Sequence, residues 1–213
     1  MDYSVSFENV QNSLNSLSSQ MKQLEQRREA LIKETREVIS LCSKAIILLH
    51  GDKVKDSETL LNSASSSIKK LKDYVICDLD RYLWPAEQEY VEAYVLKEIV
   101  ERKSSLSGHD ELNVSLNAYV TGLLDCTGEI KRMIYDNLRK NNHGYSLSLF
   151  EIMQSIYNLV YPFSFYDNLI PGIRKKLDVS KRMMEDVRIT MTEEYQRTMF
   201  LNEFKSVSER KQQ

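Results

Sequence analysis

From Phe7 onward the apolar residues fall at Phe7, Val10, Leu14, Leu17, Met21 and Leu24, and then at Leu31, Val38, Cys42, Ala45 and Leu49. This alternation of three and four predicts one long helix packing along a single seam. Gly51, a residue that readily ends helices, closes it. Arg28 and Thr35 occupy two seam positions. Arg28 either lays its stem along the seam and pairs with an acid, or faces a solvated cavity that holds a polyanion. A second helix is expected from Ser57, read as its cap, to about Tyr82, with Leu60, Leu61, Ala64, Ile68, Leu71, Val75 and Leu79 on one face.

Pro85 marks the start of a third helix over about 86–103, because a missing N–H costs nothing in a first turn. A fourth is expected over about 112–140, a fifth over 146–160, and a long last helix over 173–204. The fold class is therefore all-α: one domain of six to seven helices over residues 1–205, an antiparallel bundle. A polar tail is expected over 206–213.

Composition supports this reading. The 213 residues include only 6 Gly and 3 Pro, which suits helices better than a turn-rich β fold. Lys and Arg total 29 against 31 Asp and Glu, a formal net charge of -2, so any polyanion must be held by local basic patches. Cys42, Cys77 and Cys126 are odd in number and widely spaced, forming neither a disulfide framework nor a zinc motif. They read as core thiols in a reducing compartment. No apolar run is long enough to span a bilayer, and the start at Met1, Asp2 and Tyr3 carries no basic leader region. A soluble cytoplasmic protein with no membrane partner is expected.

The informative residues are acids on an apolar face. At about 100° per residue, Ala93, Leu96, Ile99 and Val100 of the third helix cover about 120° of arc, and Glu89 and Glu92 lie inside it. Glu98 and Glu101 have the same spacing but sit opposite, beside Lys97 and Arg102, where a solvated face is expected. On the fourth helix Asp125 and Glu129 point one way, sharing their face with Ala118, Thr121, Gly122 and Arg132. Tyr119, Leu123, Ile130 and Ile134 form the opposite, packing face. The small residues beside the acids leave room for a ligand.

If the two helices are neighbours, four carboxylates converge, and each pair about 5 Å apart repels by roughly 3 kcal/mol at an effective dielectric near 20. A divalent cation removes that conflict, and all-oxygen ligation favours Mg²⁺, with Mn²⁺ as a substitute. A di-iron bundle would supply Glu-x-x-His pairs, yet none of His50, His109 and His143 has Glu three residues before it. The alternative is that Glu89 and Glu92 pair with basic residues of neighbouring helices. Candidate phosphate-binding cations are Arg28, Arg132, Arg174, Lys175 and Lys176. Simple solvation or helix capping remains the alternative for Arg174, Lys175 and Lys176, and an intrahelical ion pair with Glu129 for Arg132.

The run from Glu89 to Ala93, EYVEA, and the run from Ala118 to Met133, AYVTGLLDCTGEIKRM, resemble the signature segments of the translin family, most closely its translin-associated factor X (Trax) branch. Ile47-Leu48-Leu49-His50 and the stretch Leu169 to Ile189 are looser matches in the family's order. The chain departs from animal Trax in lacking a long N-terminal extension and a long insertion between the two acidic motifs, a compactness similar to archaeal relatives. The resemblance implies a metal-dependent endoribonuclease cleaving single-stranded RNA inside a homo-oligomer of about eight subunits.

On that resemblance Glu89, Glu92, Asp125 and Glu129 are the catalytic and metal-binding set, with Glu129 as a further ligand or as the base orienting the attacking water. Nothing in the sequence identifies a reader of the 2′-hydroxyl, so single-stranded DNA stays open as a second partner. The rival readings are a non-catalytic nucleic-acid-binding ring of the translin type and a helical scaffold whose first helix pairs with a partner helix.

Overall fold

The computed structural model describes the backbone of residues 5–210 and the side chains of residues 5–204. The helices are α1 (Glu8–His50), α2 (Val54–Lys72), α3 (Trp84–Val100), a single turn α4 (His109–Leu112), α5 (Leu116–Arg139), α6 (His143–Val160) and α7 (Ile173–Arg210), with 3₁₀ turns at Leu79–Tyr82 and Tyr161–Tyr166. No strand occurs among the described residues, as the periodicity predicts. No helix there is long and apolar enough to cross a membrane.

The first helix runs as read and stops at Gly51, whose N–H bonds the Ile47 and Leu48 carbonyls. Its seam, however, is buried only from Leu31 onward, through Thr35, Val38, Cys42, Ala45 and Leu49. Val10, Leu14, Leu17 and Met21 stay exposed, Met21 to 61%. At about 1.5 Å per residue a helix of 43 residues is about 65 Å long, so its first half overhangs the helices that cover the second. The far part of α7 leaves Tyr195 and Phe200 exposed in the same way.

The second helix is shorter than expected and starts earlier. Ser57 does not cap it but lies buried inside it, its hydroxyl without a hydrogen-bond partner. After Lys72 the chain turns, placing Val75 in the turn and Leu79 in the 3₁₀ segment. Cys77 sits in this connection with φ 51 and is exposed, which corrects its reading as a core thiol. A helical apolar period cannot reveal a turn whose apolar side chains still face the core. The fourth predicted helix starts about a turn late: a separate turn, α4, ends at Asn113 in left-handed conformation, and Ser115 then caps α5 by accepting from the Ala118 N–H. The last helix continues to Arg210, through the first part of the stretch read as a polar tail. Residues 211–213, and the Met1 to Tyr3 start used to exclude a leader, lie outside the described residues.

One apolar cluster runs through α1, α2, α3, α5, α6 and α7. α3 stands in its middle, packed by α1 and α2 on one side and α5 on the other, while α6 and α7 cover the far face of α5. This central position corrects the expectation of a solvated face for Glu98 and Lys97, which are only 1% and 4% exposed. Glu98 is held by the Ser107 N–H at 2.8 Å, the Ser107 hydroxyl at 2.7 Å and Lys103 at 3.1 Å. Glu87, also buried, accepts from the Ser115 N–H at 3.0 Å and faces Lys72. Both acids fasten connecting segments to the central helix, and their charge is absorbed by donors, as burial requires.

Candidate metal centre

The meeting of α3 with α5 is set by Gly122. A Cβ added there would lie 2.6 Å from the Gln88 carbonyl oxygen and 2.8 Å from the Val91 Cβ. Ala118, Thr121 and Gly122 are all buried. The small residues of α5 therefore make room for a helix rather than for a ligand, which corrects the sequence reading. Their smallness still serves the site, because it lets the acids of α3 come up beside Asp125 on α5.

Glu89, Glu92, Asp125, Lys175 and Lys176 line one cleft of about 580 Å³, together with Leu124, Pro171, Gly172, Val179 and Met183. The carboxyls of Glu89 and Glu92 are both held above their ordinary range. For Glu92, 9% exposed, burial first and then the charges of Asp125, Glu89 and Glu129 push the pKa to about 8 against the relief from Lys176. For Glu89, burial leads, followed by Asp125, with Lys176 opposing. Two buried thiols adjoin the acids. Burial, then Glu89 and Glu92, pushes Cys42 up to about 12, and burial followed by Glu92, Glu129 and Asp125 raises Cys126, so neither is a thiolate nucleophile.

Asp125 is engaged from two sides: Lys176 forms a short ion pair with Oδ1, and Gln88 Nε2 donates to Oδ2 at 2.6 Å. Glu129, one turn further along α5, bonds His50 Nε2 at 2.5 Å, with Arg132 at 3.7 Å from the same oxygen. Gln88 and His50 are thus contacts of the site that sequence reasoning missed. Gln88 is signalled only by its place next to Glu89, and His50 by the Leu-Leu-His ending of the first helix. As the side chains stand, no three His, Cys, Asp or Glu groups among the described residues converge on one point.

The donor types nonetheless suit a hard divalent cation, being all oxygen and able, once ionised, to carry more negative charge than Lys176 offsets. Lys176 already places a positive charge on the carboxylate such an ion would need. Residues Glu89, Glu92 and Asp125 could hold it once that ammonium swings away.

The other predicted cations are scattered. Arg28 donates to the Tyr82 hydroxyl at 3.1 Å and pairs with Glu25 at 2.6 Å, the paired alternative of the sequence reading, and it does not line the acidic cleft. Arg174 is spent on its own connection, its Nε donating to the Ser164 carbonyl at 3.0 Å. Arg132 lines a separate cleft of about 850 Å³ along α5 and α7, with Lys131, Arg139 and Arg197, cations the sequence reading passed over.

The raised carboxyls fix a pH dependence. A group protonated more readily in the fold than in the unfolded chain stabilises the fold fully below its ordinary pKa and loses that contribution as pH rises through its folded value. For Glu92 the window runs from 4.5 to about 8. The metal-free protein is therefore expected to melt at falling temperature across that window. Because a cation takes the ionised form, added Mn²⁺ should raise the melting temperature more at about pH 8.5 than at about pH 5.5. Differential scanning fluorimetry checks this, and a Mn²⁺ shift independent of pH would contradict it.

The sequence profile of the Translin family matches residues 26–188 of this chain. An uncharacterized protein of Methanocaldococcus jannaschii is 27% identical over 177 residues, spanning 82% of this chain and 79% of its own. Among solved structures, AfC3PO in complex with duplex RNA is similar with a TM-score of 0.80 at 27% identity, covering 86% of this chain and 96% of its own. AfC3PO alone gives a TM-score of 0.75 at 27% identity, over 86% of this chain and 97% of its own. The apo form of NeC3PO shares the fold, with a TM-score of 0.73 at 20% identity over 85% of this chain and 96% of its own.

Proposed function

Because the chain belongs to the translin family, we propose that it is a divalent-metal-dependent endoribonuclease of the Trax-like branch, cutting single-stranded RNA within a homo-oligomer of about eight copies. The observation that carries this reading is the gathering of Glu89, Glu92 and Asp125 around one cleft in which, among the described residues, Lys176 is the cation paired with them. Three carboxylates against one ammonium is an arrangement that a structural ion pair does not require and a Mg²⁺ site does. That a relative at 27% identity was solved with duplex RNA supports RNA as the partner class.

When bound, the cation supplies Lewis acidity, making water a better nucleophile and offsetting charge on the scissile phosphate. Glu89, Glu92 and Asp125 hold it. Glu129, one turn beyond Asp125 on α5, is near enough for its charge to act on Glu89 and Glu92, and the role assigned to it is the base that orients the attacking water and accepts its proton. Lys175 lies at the cleft wall, placed to meet a backbone phosphate, and Lys176 joins it once released from Asp125. The exposed apolar stretches of α1 and α7 supply faces for self-association. The cytoplasm, whose reducing conditions keep cysteines free, is the compartment that fits.

The pairing of Lys176 with Asp125 is the one feature that favours a non-catalytic RNA-binding ring, since it already neutralises part of the acidic charge. End-labelled single-stranded and duplex RNA incubated with the protein separates the two. Cutting of the single strand that needs Mg²⁺ or Mn²⁺ and stops with chelator is the expected result. Tight binding of intact RNA with no cutting at any metal concentration would leave only the ring.

A further inference from the structure

His50 ends α1, yet its side chain is only 7% exposed and reaches α5, where its Nε2 lies 2.5 Å from Glu129 Oε2. Its other nitrogen, Nδ1, faces Asp136 Oδ2 at 4.0 Å. Asp136 is seven residues beyond Glu129 on the same helix, so the ring stands between two acids of one face. A carboxylate only accepts, which places the proton of this short contact on Nε2. Arg132 approaches the same Glu129 oxygen at 3.7 Å, and Asp136 is itself occupied by Arg139. A glutamate has three side-chain torsions, and without these contacts Glu129 would sample several rotamers over the cleft's edge. Both contacts fall on Oε2.

We propose that His50 is a positioning residue for the nuclease reaction: its Nε2–H fixes Glu129 Oε2 so that Oε1 presents to the attacking water. The inference rests on the nuclease reading above and adds to it a part outside the acidic cleft. The ring is ordered by folding rather than by substrate, so the cost of immobilising Glu129 is met before RNA arrives. A merely structural histidine would tie α1 to α5 and nothing more, and its loss would appear in stability but not selectively in turnover.

The test is a set of variants read for kcat and KM on labelled RNA, Mn²⁺ affinity by titration calorimetry, and melting temperature. His50→Leu is expected to lower kcat by about tenfold to a hundredfold, the usual effect of losing a group that orients a site residue. KM and Mn²⁺ affinity should stay near wild type. His50→Gln, whose amide nitrogen reaches where Nε2 stood, should recover kcat to within about threefold of wild type. In a Glu129→Gln background, adding His50→Leu should cost no more than about twofold further, because the residue it positions is already gone.

If His50→Leu does not fold, His50→Asn, polar but too short to reach Glu129, takes its place. Turnover of the Leu variant equal to wild type, a Gln variant as slow as Leu at equal melting temperature, or a full additive loss in the Glu129→Gln background would each overturn the inference while leaving the nuclease standing. A wild-type protein that neither binds Mn²⁺ nor cuts RNA removes the nuclease reading first, and this inference with it.

Discussion

Replacing Glu92 with Gln is expected to stop RNA cleavage and, at the same time, to make the metal-free protein harder to melt. The first effect follows from its place among the three carboxylates of the cleft. Losing one group aimed at the charge of a transition state costs on the order of a hundred- to a thousandfold in turnover. The second follows from the same burial that holds its pKa at about 8. At neutral pH and above, the fold must either keep a proton on this carboxyl or accommodate its charge beside Asp125 and Glu89, and a neutral amide of nearly the same shape removes that cost.

Asp125→Asn should abolish cutting as well, but it strips Lys176 of its partner and so should gain no stability. Gel assays of cleavage, filter binding of RNA and a thermal melt of each variant check the pair. Loss of activity with a raised melting temperature for Glu92→Gln is the signature of a functional acid kept at a cost. A variant that cuts at full rate in magnesium would refute the assignment.

Gly122→Ala is expected to destabilise the protein by about 3 kcal/mol, which for a chain of this size lowers the melting temperature by roughly 6–12 °C. The added Cβ would meet the Gln88 carbonyl at 2.6 Å, and a backbone atom cannot turn aside as a side chain can. α3 would have to move, and Glu89 and Glu92 would move with it, so cleavage should fall with stability. Gly128→Ala on the same helix is the control. Its new Cβ meets the Met183 side chain, Sδ at 3.8 Å and Cε at 3.9 Å, both ordinary contacts, and Ala is the better helix former by about 1 kcal/mol. It should therefore melt slightly higher than wild type. Equal melting temperatures for the two variants would show that the close approach at Gly122 is not what sets the distance between the helices.

The helices were legible because a single apolar face repeats at a helical period through most of them, and Glu89 and Glu92 were legible because they interrupt one. The same reasoning failed for Glu98 and Lys97. It assumes that a helix has a broad wet side, and α3, packed by α1, α2 and α5, exposes only Pro85 fully. Gly122 misled for a related reason: a small residue says that something approaches closely, without saying whether it is a ligand or a backbone. As partners of the acids, Gln88, Lys176 and His50 were out of reach, Lys176 being legible only as a candidate phosphate-binding cation and His50 only as the end of a Leu-Leu-His segment. Each belongs to the site only through the way four helices, α1, α3, α5 and α7, meet, and spacing along one helix carries no such information. Arg28 stands just before the buried part of the seam, and which of its two readings held depended on Tyr82, 54 residues away.

The enclosure of α3 also governs how the molecule comes apart. The strut bearing Glu89 and Glu92 is buried along most of its length, whereas the first turns of α1 stay exposed. Amide protons along α3 should exchange last of all, by an opening that is the unfolding of the whole chain. The α3 wall of the cleft is then fixed while Lys176 is the part that moves, and on heating, the cleft's power to grip an ion disappears in the same transition as the fold.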